Sequence, residues 1–170
     1  DKDSDLVVVS KTGEIGEVLE IQGLKIALPK VPNEVFSCSK DKSKQKWGKF
    51  KENEAFSKIK TRFDWDGYSK EFKELHYKYI DQEFQRRDNG FWFMNNGSPT
   101  YLTGSMYFWM QWYKDIDSGE YSDFRYAQNR LSYHTQACYV DTRCLGQNFV
   151  KSRRTGFTIE KLSRKLNLET

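Results

Sequence analysis

The chain has 170 residues and a mass of 20.2 kDa, enough for one domain with a core or for part of a larger one. Its 28 Lys and Arg against 24 Asp and Glu leave a formal charge of +4, which excludes a histone-like polycation, although a pI near 8.8 permits a local anion-binding patch. Hydrophobic residues are a lean 37%, but 16% aromatics supply burial that a disordered chain lacks, and no apolar run approaches the ~20 residues of a membrane span.

In chain order, residues 6–9 (LVVV) and 15–21 read as strands, and Gln22-Gly23 turns the second into a third over 24–28, closed by Pro29 and Pro32. Residues 1–36 are therefore a β-rich segment. Residues 37–60 form a Lys-rich linker, read as a solvated face, with contact to a DNA backbone as the functional alternative. After Asp66-Gly67 the pattern predicts a helix of about twenty residues with Phe72, Leu75, Tyr79, Ile80 and Phe84 on its apolar stripe, bordered by His76 and ended by Asn89-Gly90. Residues 91–94 and 100–103 flank Asn95-Asn96-Gly97-Ser98-Pro99 and predict a hairpin.

Residues 105–116 (including MYFWMQWY) predict a buried helix. A base-stacking platform is the sharper alternative, but no basic residue interleaves with these rings. Residues 123–140 predict a second amphipathic helix with Phe124, Ala127, Leu131, His134 and Cys138 on one stripe. Cys38, Cys138 and Cys144 form no CxxC pair, which predicts reduced thiols, as in a cytosol. His76 and His134 are too far apart to predict a zinc site. The sequence opens at Asp1 without a signal-peptide pattern, and Asp1 need not be a natural start.

The segment with chemistry in it comes last. Residues 144–150 (CLGQNFV) predict a strand, Lys151-Ser152-Arg153-Arg154-Thr155-Gly156 a polar loop, and Ile159, Leu162 and Leu166 an apolar helical stripe beyond Thr158. Strand, glycine loop, hydroxyl and helix is the layout of a phosphate-binding loop, because the helix N-terminus offers free N–H groups and a positive dipole end. Gly156 lets backbone approach phosphate, and Thr158 stands where a hydroxyl can ligate a nucleotide-bound Mg²⁺. The pattern G-x-x-x-x-G-K-[ST] is broken twice: Lys151 replaces its first Gly and Phe157 its Lys. Lys151, Arg153 and Arg154 can supply the missing positive charge. A plain basic surface loop is the competing reading.

KSRRTGFT resembles the deviant Walker A of phage large terminases, with the lysine at the start of the loop and Gly-aromatic-Ser/Thr at its end. Upstream, PTYLTGSMYFWMQWYKDID, SDFRYAQNR, and an acid and CLG before the loop resemble the large terminases of crAss-like phages over about residues 90–160. The resemblance implies an α/β fold, the beginning of an ASCE-type P-loop NTPase domain after a small β-rich and helical lead-in. Residues 61–143 would be a helical and hairpin lead-in, and 144–170 the first strand, Walker A loop and helix. It implies ATP and Mg²⁺ as cofactors. Lys151 would hold the β- and γ-phosphates, Arg153 or Arg154 would stabilise γ-phosphate charge, and Thr158 would ligate Mg²⁺. Ser152, Thr155 and Gly156 would line the phosphates.

Arg125 and Gln128 fit the Arg-x-x-Gln segment whose amide reads adenine, with a solvated helix face as the competing reading; Gln111 is a weaker candidate. Implied partners are double-stranded DNA, a portal protein and a small terminase subunit. A ring-forming homo-oligomer in the host cell cytoplasm, without a membrane, is also implied. The Walker B acid, the water-orienting glutamate and the nuclease carboxylates of such a motor do not occur in the twelve residues after Thr158, so this chain is expected to be its front part and inactive alone. The alternative function is a non-enzymatic module that docks a capsid, portal or nucleic acid.

Overall fold

Backbone turns set the register of both sheets. The computed structural model of the chain describes residues 6–9, 13–37, 62–114 and 117–148. Strands β2 (Ile15–Ile21) and β3 (Leu24–Pro29) form an antiparallel hairpin through Gln22 and Gly23, with φ of 51° and 81°, the left-handed pair that matches strand twist. Strand β1 (Leu6–Val8) runs parallel to β3 on its other side, giving the order β1-β3-β2. As the central strand, β3 buries Ile26, Ala27 and Leu28 consecutively, the mark of a strand covered on both faces.

A short helix, α1 (Arg62–Asp66), precedes the long α2 (Lys70–Asn89). The Ser69 side chain accepts from the Phe72 N–H at 3.3 Å and starts α2. Gly90, with φ 80°, stops it where any side chain would strike the Tyr101 hydroxyl and the Leu102 carbonyl. The following hairpin pairs β4 (Phe91–Asn95) with β5 (Ser98–Leu102) across Asn96-Gly97, whose φ values are 47° and 81°. It is tighter than the five-residue loop expected, since Asn95 pairs with Ser98 and Met94 with Pro99. Phe36 adds a parallel bridge beside Phe93, and its carbonyl accepts the Met94 N–H at 2.8 Å.

Thr103 caps helix α3 (Gly104–Trp112) by accepting from the Met106 N–H at 3.3 Å. The helix stops short of the expected residue 116, because Tyr113 is extended and Lys114 bridges back to Tyr121. Helix α4 (Tyr126–Val140) begins later than the expected residue 123. Phe124 explains the delay: its ring packs edge-on against Phe93 at 5.2 Å and holds that stretch extended. Residues 144–148 are irregular, not the strand expected over 144–150. No described strand lies beside them to complete a ladder, and Leu145 is fully exposed.

The architecture is α/β, with a mixed three-stranded sheet, a two-stranded hairpin and four helices among the described residues. One core joins Val7, Val9, Ile21, Ile26 and Leu28 of the sheet to Tyr101, Tyr133 and Ala137. The other gathers Phe93, Leu102, Met106, Tyr107, Trp109 and Met110. The aromatic run of α3 is thus core, and it offers no stacking platform. Among the described residues no helix is long and apolar enough to cross a membrane.

Candidate functional site

Lys151, Ser152, Arg153, Arg154, Thr155, Gly156 and Thr158, like the Lys-rich linker over most of its length, lie outside the described residues. Arg125 and Gln128, the expected adenine-side pair, are described. Arg125 is exposed and stands just before α4 with extended backbone; its carbonyl accepts the Asn129 N–H at 3.1 Å. Gln128 is only 8% exposed. The two therefore share a helix end without sharing an open face. Gln111 is 1% exposed, a polar residue within a packed helix. His76 packs its ring against Trp65 at 4.9 Å, in keeping with a packing histidine.

The arrangement that sequence patterning missed is centred on Glu83. This carboxylate is 5% exposed and accepts from the Tyr107 hydroxyl at 2.7 Å and from the Trp112 indole N–H. Arg87 Nε lies 3.4 Å from one carboxylate oxygen and Arg86 Nη1 3.6 Å from the other. The Arg87 guanidinium also lies over Phe108 at 4.7 Å and near Trp112 at 5.7 Å. Both cations and both neutral donors converge on one acid, which satisfies a charge that burial would otherwise penalise. Burial, reinforced by the Glu83 charge, holds the Tyr107 hydroxyl far above the ordinary tyrosine range. The helices come close enough here that a methyl group at Gly104 would run into the Arg87 carbonyl.

A second polar seam joins α4 to the hairpin. Asn129 Nδ2 donates to the Tyr101 carbonyl at 2.9 Å and to the Tyr133 hydroxyl at 2.8 Å, while Tyr133 donates to the same carbonyl. The Thr103 hydroxyl donates to Ser132 Oγ at 3.2 Å, and Ser132 donates to the Asn129 carbonyl at 2.9 Å. These groups are sealed from water, so they act as structural locks.

Beside the Glu83 cluster lies an open cleft of 530 Å³, with Phe36, Phe91, Trp92 and Tyr101 among its lining residues. Arg86 stands on one side, 5.7 Å from the Phe91 ring; Lys30 pairs with Glu14 at 2.6 Å, and Glu34 lines it as well. Two cations against two acids leave the cleft near electrical balance. It can hold an apolar or aromatic group, but it has no excess positive charge with which to select a phosphate. Among the described residues no group of three His, Cys, Asp or Glu is arranged to hold a metal ion.

No family model matches the chain, and neither a curated protein nor a solved structure matches it.

Proposed function

We propose that the chain is the front part of a large terminase, an ATP-driven motor that packages double-stranded viral DNA. The observation that carries this reading is the run Lys151 to Thr158: a basic loop with Gly156, then a hydroxyl at the start of an apolar helical stripe. Lys151 and one of Arg153 and Arg154 would neutralise phosphate charge, and Thr158 would meet Mg²⁺. Arg125, exposed just before α4, could approach a nucleotide, whereas Gln128 would need the start of α4 to open. DNA, a portal protein, a small subunit and a ring of copies in the host cytoplasm belong to the same proposal.

The docking-module alternative gains less, since the aromatic run it would present is packed inside α3. Binding of a fluorescent ATP analogue with Mg²⁺ tests the motor reading. The 170-residue chain should bind it, Lys151→Ala should weaken binding by ~10²-fold, the scale of losing one charge-assisted phosphate clamp, and neither should release phosphate. Equal binding by the two proteins would remove the phosphate-loop assignment.

A further inference from the structure

We propose that Cys138 and Cys144 form an oxidisable dithiol site, closing into an intramolecular disulfide by exchange with a small disulfide of the glutathione class. The proposal does not rest on the ATPase reading.

Both cysteines are free thiols, both are half-buried, and both line the same open cleft of 360 Å³. Cys138 lies on the last turn of α4, and the chain then reverses sharply. Asp141 makes that reversal rigid. Its carbonyl accepts the Cys144 N–H at 3.0 Å, its carboxylate accepts the Arg143 N–H at 3.0 Å, and the Arg143 guanidinium grips both its oxygens at 2.9 Å. A second clasp follows, because Gln147 Nε2 donates to His134 Nδ1 at 3.0 Å and to the His134 carbonyl at 3.3 Å. Together the two clasps fold residue 144 back beside the helix end that carries Cys138.

The proton arrangement favours slow, reversible chemistry. His134 Nδ1 faces both the Gln147 amide and the Cys138 sulfur. The Cys138 sulfur is 3.9 Å from the same Nδ1, too far for an efficient base. Burial pushes the Cys138 thiol up; the Gln147 hydrogen bond opposes this, and the adjoining Cys144 thiol adds to it. Little Cys138 thiolate is present near neutrality, so uncatalysed exchange is slow.

The reaction balances without another reagent. One cysteine thiolate attacks the glutathione disulfide, forming a mixed disulfide and releasing one glutathione thiolate. The second cysteine attacks the protein sulfur of that mixed disulfide, forming the Cys138–Cys144 bond and releasing the other glutathione. Two thiol hydrogens pass from the protein to glutathione.

Arg143 provides the readout, because trypsin cuts between the two cysteines. The wild-type chain is equilibrated with reduced and oxidised glutathione, quenched with an alkylating agent and digested. The expected product is residues 131–143 joined to residues 144–151. Because closure releases two glutathiones for each disulfide consumed, tenfold dilution of both forms at a fixed ratio should raise the oxidised-to-reduced ratio of the pair about tenfold. Separate glutathione adducts on the two cysteines, a ratio unmoved by dilution, or a bond from Cys38 to either would each overturn the proposal.

Discussion

The two helices that pack beside the hairpin are held by different physics from the hairpin and α3. Around β4, β5 and α3 the interior is mainly apolar, with Phe93, Leu102, Met106 and Met110 all at 0% exposure beside the buried polar Thr103, Ser105 and Gln111. Along α2 and α4 the buried polar groups are Glu83, Gln128, Asn129, Ser132 and Thr135, beside Tyr133 and Ala137, which join the sheet core. Apolar burial is non-directional and tolerates a change of shape if volume is kept. A hydrogen-bonded seam tolerates little, because removing one member strands its partners away from water. The apolar region should therefore supply bulk cohesion, while the polar seams fix the register of the helices against it.

Substitutions can break that contrast, the largest effect being expected at Glu83. Glu83→Ala leaves Tyr107, Trp112 and two guanidinium groups without their acceptor, and should cost about 3–5 kcal/mol. For a chain of this size, that is a fall in Tm of roughly 6–20 °C in thermal unfolding. Glu83→Gln keeps an acceptor and should lose less. Equal melting of Glu83→Ala and wild type would show that the seam fixes nothing.

Alkali should come next. Burial raises the folded values of Tyr107 and Tyr133, so folding favours their neutral forms. The stability they contribute is complete below the unfolded tyrosine value of about 10 and is lost as pH rises above it, at roughly 1.4 kcal/mol per pH unit for each ring. Denaturant midpoints at rising pH, read beside tyrosinate absorbance, should show loss of fold and ionisation together; free ionisation in the folded protein would contradict this. Asn129→Leu, similar in volume, removes one of two donors to the Tyr101 carbonyl and should cost about 1–3 kcal/mol by denaturant titration. The smallest effect belongs to Met110→Leu, under about 1.5 kcal/mol by the same measurement. If Met110→Leu proved costlier than Asn129→Leu, the contrast between the regions would be reversed.

Local signals were legible. Gln22-Gly23 and Asn96-Gly97 announce their hairpins, Gly90 ends α2 where expected, and the density of rings in α3 marks it as core. Facing was legible only where burial is apolar. Periodicity put Leu75 and Phe84 on the inner face of α2, yet they are 62% and 50% exposed while Glu83 is sealed. On α4 the stripe of Ala127, Leu131, His134 and Cys138 lies largely opposite the buried face. The reason is separation along the chain. The Tyr107 and Trp112 donors to Glu83 lie 24 and 29 residues away, and Asn129 meets Tyr101 across 28 residues. No window of local hydrophobicity contains both partners. Of the candidate site, the loop over 151–158 lies outside the described residues, and the burial of Gln128 was set by tertiary packing.

The pairing of α4 with the N-terminal sheet sets an order of assembly. Tyr133 and Ala137 complete the core of β1–β3, and Arg130 reaches the Glu20 carbonyl across 110 residues. At synthesis rates of about 5–20 residues per second, the sheet emerges roughly 5–20 s before the helix that covers it. During that interval Val7, Ile26 and Leu28 lack their α4 cover, and the hairpin of β2 and β3 is only marginally stable alone. High contact order slows the final docking, so the newborn chain presents an apolar sheet face to any holdase chaperone until α4 closes over it.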